Sequence, residues 1–151
     1  MILKRPLDEV RRLGEVHSAA HTAEYAYCVW RPVTAIRLGD GDGNAAIPAV
    51  PNWALAGKTA PDPSYPGAHS TISAAATVIL QSVFGTDRSS CSVRSEALPG
   101  VERSFPSFSA AASEAGSRIY SGRHTRLDHV SGVELGRDVA DHVLRNDLQL
   151  R

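Results

Sequence analysis

The position of the prolines is the feature that most limits how this chain can fold. Five of the nine prolines stand within residues 38–68, which also contain the turn-rich run Gly39–Asn44. Because proline lacks the amide hydrogen that helices and central strands require, the stretch is predicted to be a loop. An ordered loop of this length is uncommon and is often functional. Residues 86–106 are also predicted to be irregular.

Between these loops the sequence predicts helices. Residues 7–36 carry apolar side chains every three or four positions, including Tyr27 and Trp30, as one face of a helix requires. Abundant alanine and only 6% aromatic residues favour helices over a β-sandwich. We expect one all-α domain over residues 1–151, a bundle of about four helices with long loops, the second helix ending at Gly85. The predicted helices cover residues 7–36, 69–84, 107–120 and 126–147.

Charge and hydropathy exclude several classes of protein. Lys+Arg and Asp+Glu both number 16, and this balance argues against a nucleic-acid partner, which usually requires a basic excess. No membrane span is predicted, since the longest apolar run, residues 74–80, is far below the ~20 residues of a spanning helix. The N-terminus lacks a secretory signal, so the chain as given predicts a cytoplasmic protein. Cys28 is predicted to be a buried thiol, and a bond to Cys91 stays open.

Two metal-like patterns are better explained without a metal. His17 and His21 stand four apart on a predicted helix, as zinc ligands can, but no glutamate of the metalloprotease motif lies between them. We interpret them as solvated helix residues. The run Asp40–Asn44 resembles the start of a calcium loop, yet the positions that require glycine and glutamate hold other residues, so a plain turn is predicted.

The residues that suggest chemistry point to an oxyanion. His69 lies where the long loop enters a helix, and the free N–H groups and dipole of a helix N-terminus attract anions. His124 follows Arg118 by six residues, and Asp128 lies one helical turn further on, where a carboxylate can orient an imidazole. Arg31 offers a planar fork of donors suited to phosphate-like groups. Alone, each residue is more often structural, and only the combination predicts a site. Further guanidinium donors are present at Arg37 and Arg123.

Three segments resemble the vanadium-dependent haloperoxidases and the related type 2 phosphatidic acid phosphatases and bacterial acid phosphatases. The family signature is Lys-x6-Arg-Pro, then Pro-Ser-Gly-His, then Ser-Arg-x5-His-x3-Asp. In this chain the blocks appear as Glu24–Pro32, Pro66–His69 and Ser117–Asp128. The resemblance covers roughly residues 16–143 and is closest to the soluble bacterial haloperoxidase-like branch. It implies an all-α bundle that holds vanadate or phosphate.

The resemblance also implies roles for individual side chains. His124 would bond the metal of vanadate, or attack phosphorus to form a phosphohistidine. His69 would be the acid–base residue, and Asp128 would orient His124. The implied activity is oxidation of a halide by hydrogen peroxide at histidine-bound vanadate. Hydrolysis of phosphate monoesters by an acid phosphatase is the alternative.

The same resemblance assigns the anion contacts, and some of them are altered here. Arg31 and Arg118 would neutralise the oxygens, and the backbone N–H groups of Gly67 and Ala68 would contact them. Gly67 and Ala68 replace the serine and glycine of the family. Glu24 replaces the lysine, which in the family contacts the oxyanion and polarises peroxide. These changes keep a third function open, a catalytically silent domain that binds an oxyanion or a partner.

The chain is short for this family. Only about fifteen residues precede the match, so we expect a truncated bundle that exposes apolar surface and favours a homo-oligomer or another partner. The small molecules implied are an oxyanion with peroxide and halide, or a phosphoester.

Overall fold

The computed structural model describes the backbone of residues 4–146 and the side chains of residues 14–146. Three predictions lie outside this description. They are the burial of the apolar side chains at residues 7, 10 and 13, the reading of the first residues for a secretory signal, and the predicted helix end at residue 147. The predicted all-α class is confirmed, with one small hairpin added. The helices are α1 (Lys4–Tyr27), α2 (Pro32–Arg37), α3 (Ala68–Phe84), α4 (Phe108–Ala112), α5 (Ser117–Tyr120) and α6 (Arg126–Asn146); the strands are β1 (Cys91–Arg94) and β2 (Glu102–Phe105).

Helices α3 and α6 form the tightest packing in the molecule. Gly132 and Gly136 of α6 face α3. A Cβ atom at Gly132 would lie 2.5 Å from the carbonyl oxygen of Gly67, and one at Gly136 would overlap the carbonyl oxygen of Thr71. Only glycine permits backbones to approach this closely. We call this contact the glycine seam. The small core beside it contains Val16, Ala75, Ile79 and Ala140, which joins α1 to the pair.

The first predicted helix is two helices, so the prediction of one element over residues 7–36 is wrong. α1 ends at Tyr27, Cys28 adopts a left-handed φ of 50°, and α2 begins at Pro32. Proline disfavours helical backbone in the preceding residue, and Arg31 is accordingly extended. Pro32 then occupies the first position of α2, where its missing N–H costs nothing.

The break between α1 and α2 also turns predicted core residues outward. Tyr27 and Trp30 are 66% and 51% exposed, because the chain leaves the helical face on which the spacing placed them. Cys28 is exposed and not buried as predicted, and its thiol donates to the carbonyl oxygen of Tyr25. Cys28 and Cys91 are both free, so no disulfide joins them.

The region predicted to be irregular contains a hairpin. β1 and β2 pair antiparallel, with Cys91 opposite Phe105 and Arg94 opposite Glu102. Arg94 and Glu102 form an exposed ion pair, and the hydroxyls of Ser92 and Ser104 lie 2.8 Å apart. Cross-strand polar pairs stabilise the hairpin. The sequence lacks the alternation of apolar and polar residues that normally reveals a strand, so the prediction was wrong here.

The later helices lie where they were predicted, but one of them is divided and the buried face of α6 differs from the prediction. α3 begins one residue earlier than predicted and ends as expected, with Gly85 in the left-handed C-cap conformation at φ 66°. The predicted helix over residues 107–120 is divided by a turn of 3₁₀ helix between α4 and α5. In α6, Leu127 and Val130 are 64% and 45% exposed, although the sequence predicts them on the apolar face. The buried face of α6 instead carries Asp128, Gly132, Gly136, Ala140 and Val143.

No helix within the described residues is long and apolar enough to cross a membrane.

Candidate oxyanion site

A cavity of about 310 Å³ lies where α1, α3, the loop before α3 and the connection from α5 to α6 meet. Residues far apart in the sequence line it. The cavity brings together the four residues that the sequence singled out for an oxyanion and the altered Glu24 position. These lining residues are Glu24, Arg31, His69, Arg118 and His124.

His124 is the most precisely held of these side chains. It lies in the connection between α5 and α6 and is 5% exposed. Its Nδ1 is 3.1 Å from the carbonyl oxygen of Ser64 and 3.5 Å from Oδ2 of Asp128. Because both groups accept hydrogen bonds, we assign the proton to Nδ1. Nε2 then carries the lone pair and accepts from Nη1 of Arg31 at 3.4 Å, so a metal or an electrophile bound at Nε2 would replace this contact.

Asp128 supports both helix α6 and the imidazole. Its Oδ2 accepts from the hydroxyl of Ser64 at 2.6 Å and from the backbone N–H of Thr125 at 2.7 Å. Thr125 in turn accepts from the Asp128 N–H, so the two residues form a capping box. Burial alone would raise the pKa of Asp128, but the hydrogen bonds from His124, Ser64 and Thr125 outweigh it and lower the pKa. The carboxylate is therefore ionised beside His124 at neutral pH.

Ser64 is a member of this network that sequence reasoning missed. It is fully buried, its hydroxyl donates to Asp128, and its carbonyl oxygen is the nearest acceptor to Nδ1 of His124. The orienting role that the resemblance assigns to Asp128 is thus shared with a backbone carbonyl. A carbonyl is common to every residue, so no side-chain pattern could have identified it.

Arg31 is buried, but its charge is already matched within the protein. Nε donates to the carbonyl oxygen of Asp62 at 2.8 Å, and Nη2 donates to Oδ2 of Asp62 at 2.7 Å. Nη1 also donates to the carbonyl oxygen of Arg123 at 3.2 Å. Asp62 itself lines the cavity. No sequence pattern points to this partner, because Asp62 stands among prolines in a loop and lies 31 residues from Arg31.

Arg118 is the guanidinium left with unused donors. It is half-buried on the short helix α5, and its buried Nε has no hydrogen-bond partner among the described residues. Burial lowers its pKa, and the charges of Arg123 and Arg31 lower it further. Arg37 and Arg123, the additional donors suggested by the sequence, bond to loop carbonyls and do not line the cavity. The cationic donors that line the cavity are therefore Arg118 and, in part, Arg31.

His69 stands in the first turn of α3, at the loop-to-helix junction where the sequence placed it. Partial burial lowers its pKa, and the neighbouring charges of Arg118 and His124 lower it further. A neutral imidazole at pH 7 can accept a proton from a molecule that enters the cavity. The geometry therefore allows the acid–base role that the resemblance implies.

Gly67 and Ala68 differ in what they offer an anion. The N–H of Gly67 donates to the carbonyl oxygen of Asp128 at 2.9 Å, so it is not free for the anion contact that the resemblance implies. Ala68 begins α3 and lines the cavity. Among the described residues only Cys28 is a non-glycine residue with positive φ, so Ala68 needs no strained backbone there.

Glu24 is the anomaly of the site. It is completely buried, and neither carboxylate oxygen has a hydrogen-bond partner among the described residues. Nδ1 of His21 lies 2.9 Å from Oε2, close enough for an ion pair but outside hydrogen-bonding geometry. Burial raises the pKa of Glu24, the attraction of His21 opposes this, and the charge of Asp62 raises it again.

The two histidines of α1 differ in their surroundings. His21 forms an ion pair with Glu24, whereas His17 is exposed as interpreted. The described residues contain no cluster of three metal-ligating side chains.

A second cavity, of about 280 Å³, lies between α3, α4 and α6. It contains the hydroxyl of Ser70, 2.8 Å from Nδ1 of His129. None of the residues predicted to bind the oxyanion lines it. The candidate site is therefore the first cavity.

Known proteins resemble this chain in sequence and in fold. Residues 14–150 match the family described as the VCPO second helical-bundle domain. The crystal structure of the first bacterial vanadium-dependent iodoperoxidase is 34% identical, with a TM-score of 0.75, over 89% of this chain and 31% of that chain. An apo bacterial vanadium-dependent chloroperoxidase is 19% identical, with a TM-score of 0.65, over 87% of this chain and 34% of that chain. The holo form gives 20% identity and a TM-score of 0.55, over 74% of this chain and 28% of that chain.

The two chloroperoxidase matches show the fold alone. This chain spans about a third of the length of the solved structures that it matches. No curated protein matches it.

Proposed function

The chain belongs to the family of the VCPO second helical-bundle domain, in the vanadium haloperoxidase and type 2 phosphatidic acid phosphatase superfamily, and on that premise we propose that it binds vanadate at His124. The proposed activity is oxidation of a halide by hydrogen peroxide. Iodide is the halide to test first, because the solved structure that is 34% identical is named an iodoperoxidase.

The observation that carries this proposal is that one cavity pairs an unprotonated imidazole nitrogen, Nε2 of His124, with a guanidinium N–H of Arg118 that has no partner among the described residues. Nδ1 of His124 is directed at the carbonyl oxygen of Ser64, which leaves Nε2 as a ligand atom. Nε of Arg118 is buried without a partner among the described residues and can donate to an oxyanion. A nitrogen ligand together with preorganised cationic donors fits a compact tetrahedral oxyanion.

The roles of the remaining residues follow from their contacts. Vanadium(V) supplies a Lewis acid that activates peroxide towards halide without changing its own oxidation state. Asp128 and Ser64 hold the imidazole of His124 in one tautomer. His69, whose pKa is lowered by partial burial and by nearby positive charge, accepts a proton from hydrogen peroxide as it enters the cavity.

Phosphate-monoester hydrolysis is the second candidate, and Glu24 is the observation that favours it. In the haloperoxidases that this chain resembles, a lysine at this position polarises peroxide, and a carboxylate cannot replace that cation. Ester hydrolysis needs Nε2 of His124 to attack phosphorus as the P–O bond to the alcohol breaks, with Arg118 stabilising the oxygens. A protonated His69 would donate to the leaving alcohol, which its lowered pKa confines to acid pH. The covalent phosphohistidine is then hydrolysed by water.

The experiment is a calorimetric titration of the native chain and of His124→Ala with orthovanadate. His142→Ala is the matched control, because His142 is exposed on α6 and does not line the cavity. We expect binding in the native chain and in the control, and a loss of at least about tenfold in affinity in His124→Ala. Unchanged affinity in His124→Ala would rule out this nitrogen as the ligand.

Two assays then separate the candidate activities. Iodide oxidation that requires both vanadate and peroxide supports the haloperoxidase proposal. Hydrolysis of p-nitrophenyl phosphate without vanadate supports the phosphatase. Vanadate binding without either turnover would establish the catalytically silent oxyanion-binding domain as the function.

A further inference from the structure

We propose that the cavity selects oxyanions that carry a proton, such as hydrogen phosphate, over fully deprotonated oxyanions such as sulfate. Glu24 is the residue that makes this selection. The proposal rests on the oxyanion site proposed above and adds the chemical class of anion that this site accepts.

The first step concerns the carboxylate of Glu24. It is completely buried, lines the cavity and has no hydrogen-bond partner among the described residues. A buried carboxylate without a donor is costly, so native proteins usually provide one. The contact with His21 reaches Oε2 only, which leaves Oε1 without any neighbour that donates. The missing donor has to come from a proton or from the ligand.

The second step concerns the other charges that face the same space. Arg31 is neutralised by its ion pair with Asp62, so this pair adds little net charge. Arg118 has an unpartnered Nε and lines the cavity with Glu24. One buried donor and one buried acceptor therefore lack partners in a single cavity. A ligand that satisfies both must present an acceptor to Arg118 and a donor to Glu24.

Hydrogen phosphate meets both requirements, whereas sulfate does not. A P–OH group donates to the carboxylate, and the other oxygens accept from Arg118 and from any free backbone N–H. Sulfate has acceptors only, so its oxygen and the carboxylate oxygen repel each other unless Glu24 takes a proton from solvent. A site built around a hydrogen bond to the ligand strongly rejects an analogue that lacks the bonding group.

The experiment compares inorganic phosphate and sulfate by calorimetric titration at about pH 8, where free imidazoles are neutral. Both anions are then mainly dianions of the same shape and differ by one proton. The native chain is measured first and needs no variant. Glu24→Gln is then compared with Glu15→Gln, a matched change at an exposed position of α1. Thermal melting verifies that each variant is folded.

We expect the native chain and Glu15→Gln to prefer phosphate by about 100-fold. In Glu24→Gln the preference should fall below about threefold, mainly through a gain in sulfate affinity, because an amide can donate to either anion. If Glu24→Gln does not fold, the ratio of phosphate affinity to sulfate affinity in the native chain decides whether the cavity selects protonated oxyanions.

Equal affinities of the native chain for phosphate and sulfate would overturn the proposed selection but not the proposed oxyanion site. A preference that survives in Glu24→Gln would overturn the assignment to Glu24. Binding of neither anion by the native chain would overturn this inference, whereas the orthovanadate titration alone decides whether the proposed function stands.

Discussion

The two walls of the cavity are built on opposite principles. On the wall formed by the connection into α6, which we call the α6 wall, His124 is fixed through Nδ1, and Oδ2 of Asp128 behind it accepts two hydrogen bonds while its Oδ1 has no partner among the described residues. On the α1 wall, Glu24 is equally buried but has no donor among the described residues. The α6 wall carries the sequence block that matches the family in full, and the α1 wall carries the block in which glutamate replaces lysine. The difference indicates that the α6 wall is held by its own hydrogen bonds through Oδ2 of Asp128, whereas on the α1 wall both oxygens of Glu24 need a proton or a ligand.

The strongest test of this contrast between the walls is to remove the carboxylate of Asp128 from the α6 wall. Asp128→Ala takes the acceptor away from the Ser64 hydroxyl and the Thr125 N–H, and it removes the capping box of α6. We expect the free energy of unfolding to fall by about 3 kcal/mol in urea denaturation, since buried charged partners are lost. Because the pKa of Asp128 is lowered in the folded protein, this stabilisation should be present above the unfolded pKa and disappear as pH falls through the folded pKa.

Asp138→Ala, an exposed change on the same helix, is the control for that loss. A difference of less than about 1 kcal/mol between the two variants would mean that the α6 wall does not depend on its carboxylate.

The sequence predicted one wall far better than the other. The interval from His124 to Asp128 is local, so the carboxylate was expected beside the imidazole, although His124 precedes α6 and the Thr125–Asp128 capping box brings the two together. Ser64 and Asp62 join the site from a loop distant in the sequence. Ser64 offers its carbonyl oxygen to His124 and Asp62 offers its carboxylate to Arg31, and no periodicity connects either pair. The helix break at Cys28 was missed because the apolar spacing continues through it. Gly85 was predicted correctly because its left-handed conformation is a requirement of local backbone geometry.

The second test introduces the lysine of the family signature at position 24 on the α1 wall. Glu24→Lys replaces a buried negative charge by a donor beside the proposed anion, and we expect orthovanadate to bind about tenfold more tightly. Glu15→Lys on the same helix should leave the affinity unchanged. Adding Gly67→Ser should bring no further gain, because a Cβ there would lie only 3.1 Å from the carbonyl oxygen of Asp128. An affinity that does not respond to Glu24→Lys would place Glu24 away from the anion.

The smallest expected effect is a gain in stability on the α1 wall. The raised pKa of Glu24 means that the folded state binds this proton more tightly than the unfolded chain does. Stability should therefore fall as pH rises from about 4 through the folded pKa of Glu24. Glu24→Gln removes that loss, and we expect it to be more stable than the native chain by about 1 kcal/mol at neutral pH.

Urea denaturation at several pH values measures this difference, with Glu15→Gln as the control. A Glu24→Gln variant that is less stable than the native chain at neutral pH would show that the carboxylate is already satisfied, and the contrast between the two walls would not hold.

The glycine seam limits how this protein can be re-engineered. Gly132 and Gly136 bring the backbone of α6 directly against that of α3, so no smaller side chain exists that would draw the helices closer, and every larger one would force them apart. The spacing between the helix that begins beside His69 and the helix that begins beside His124 is therefore fixed by main-chain atoms. A designer who wants a wider cavity for a bulkier substrate has to work on α1 and the proline-rich loop.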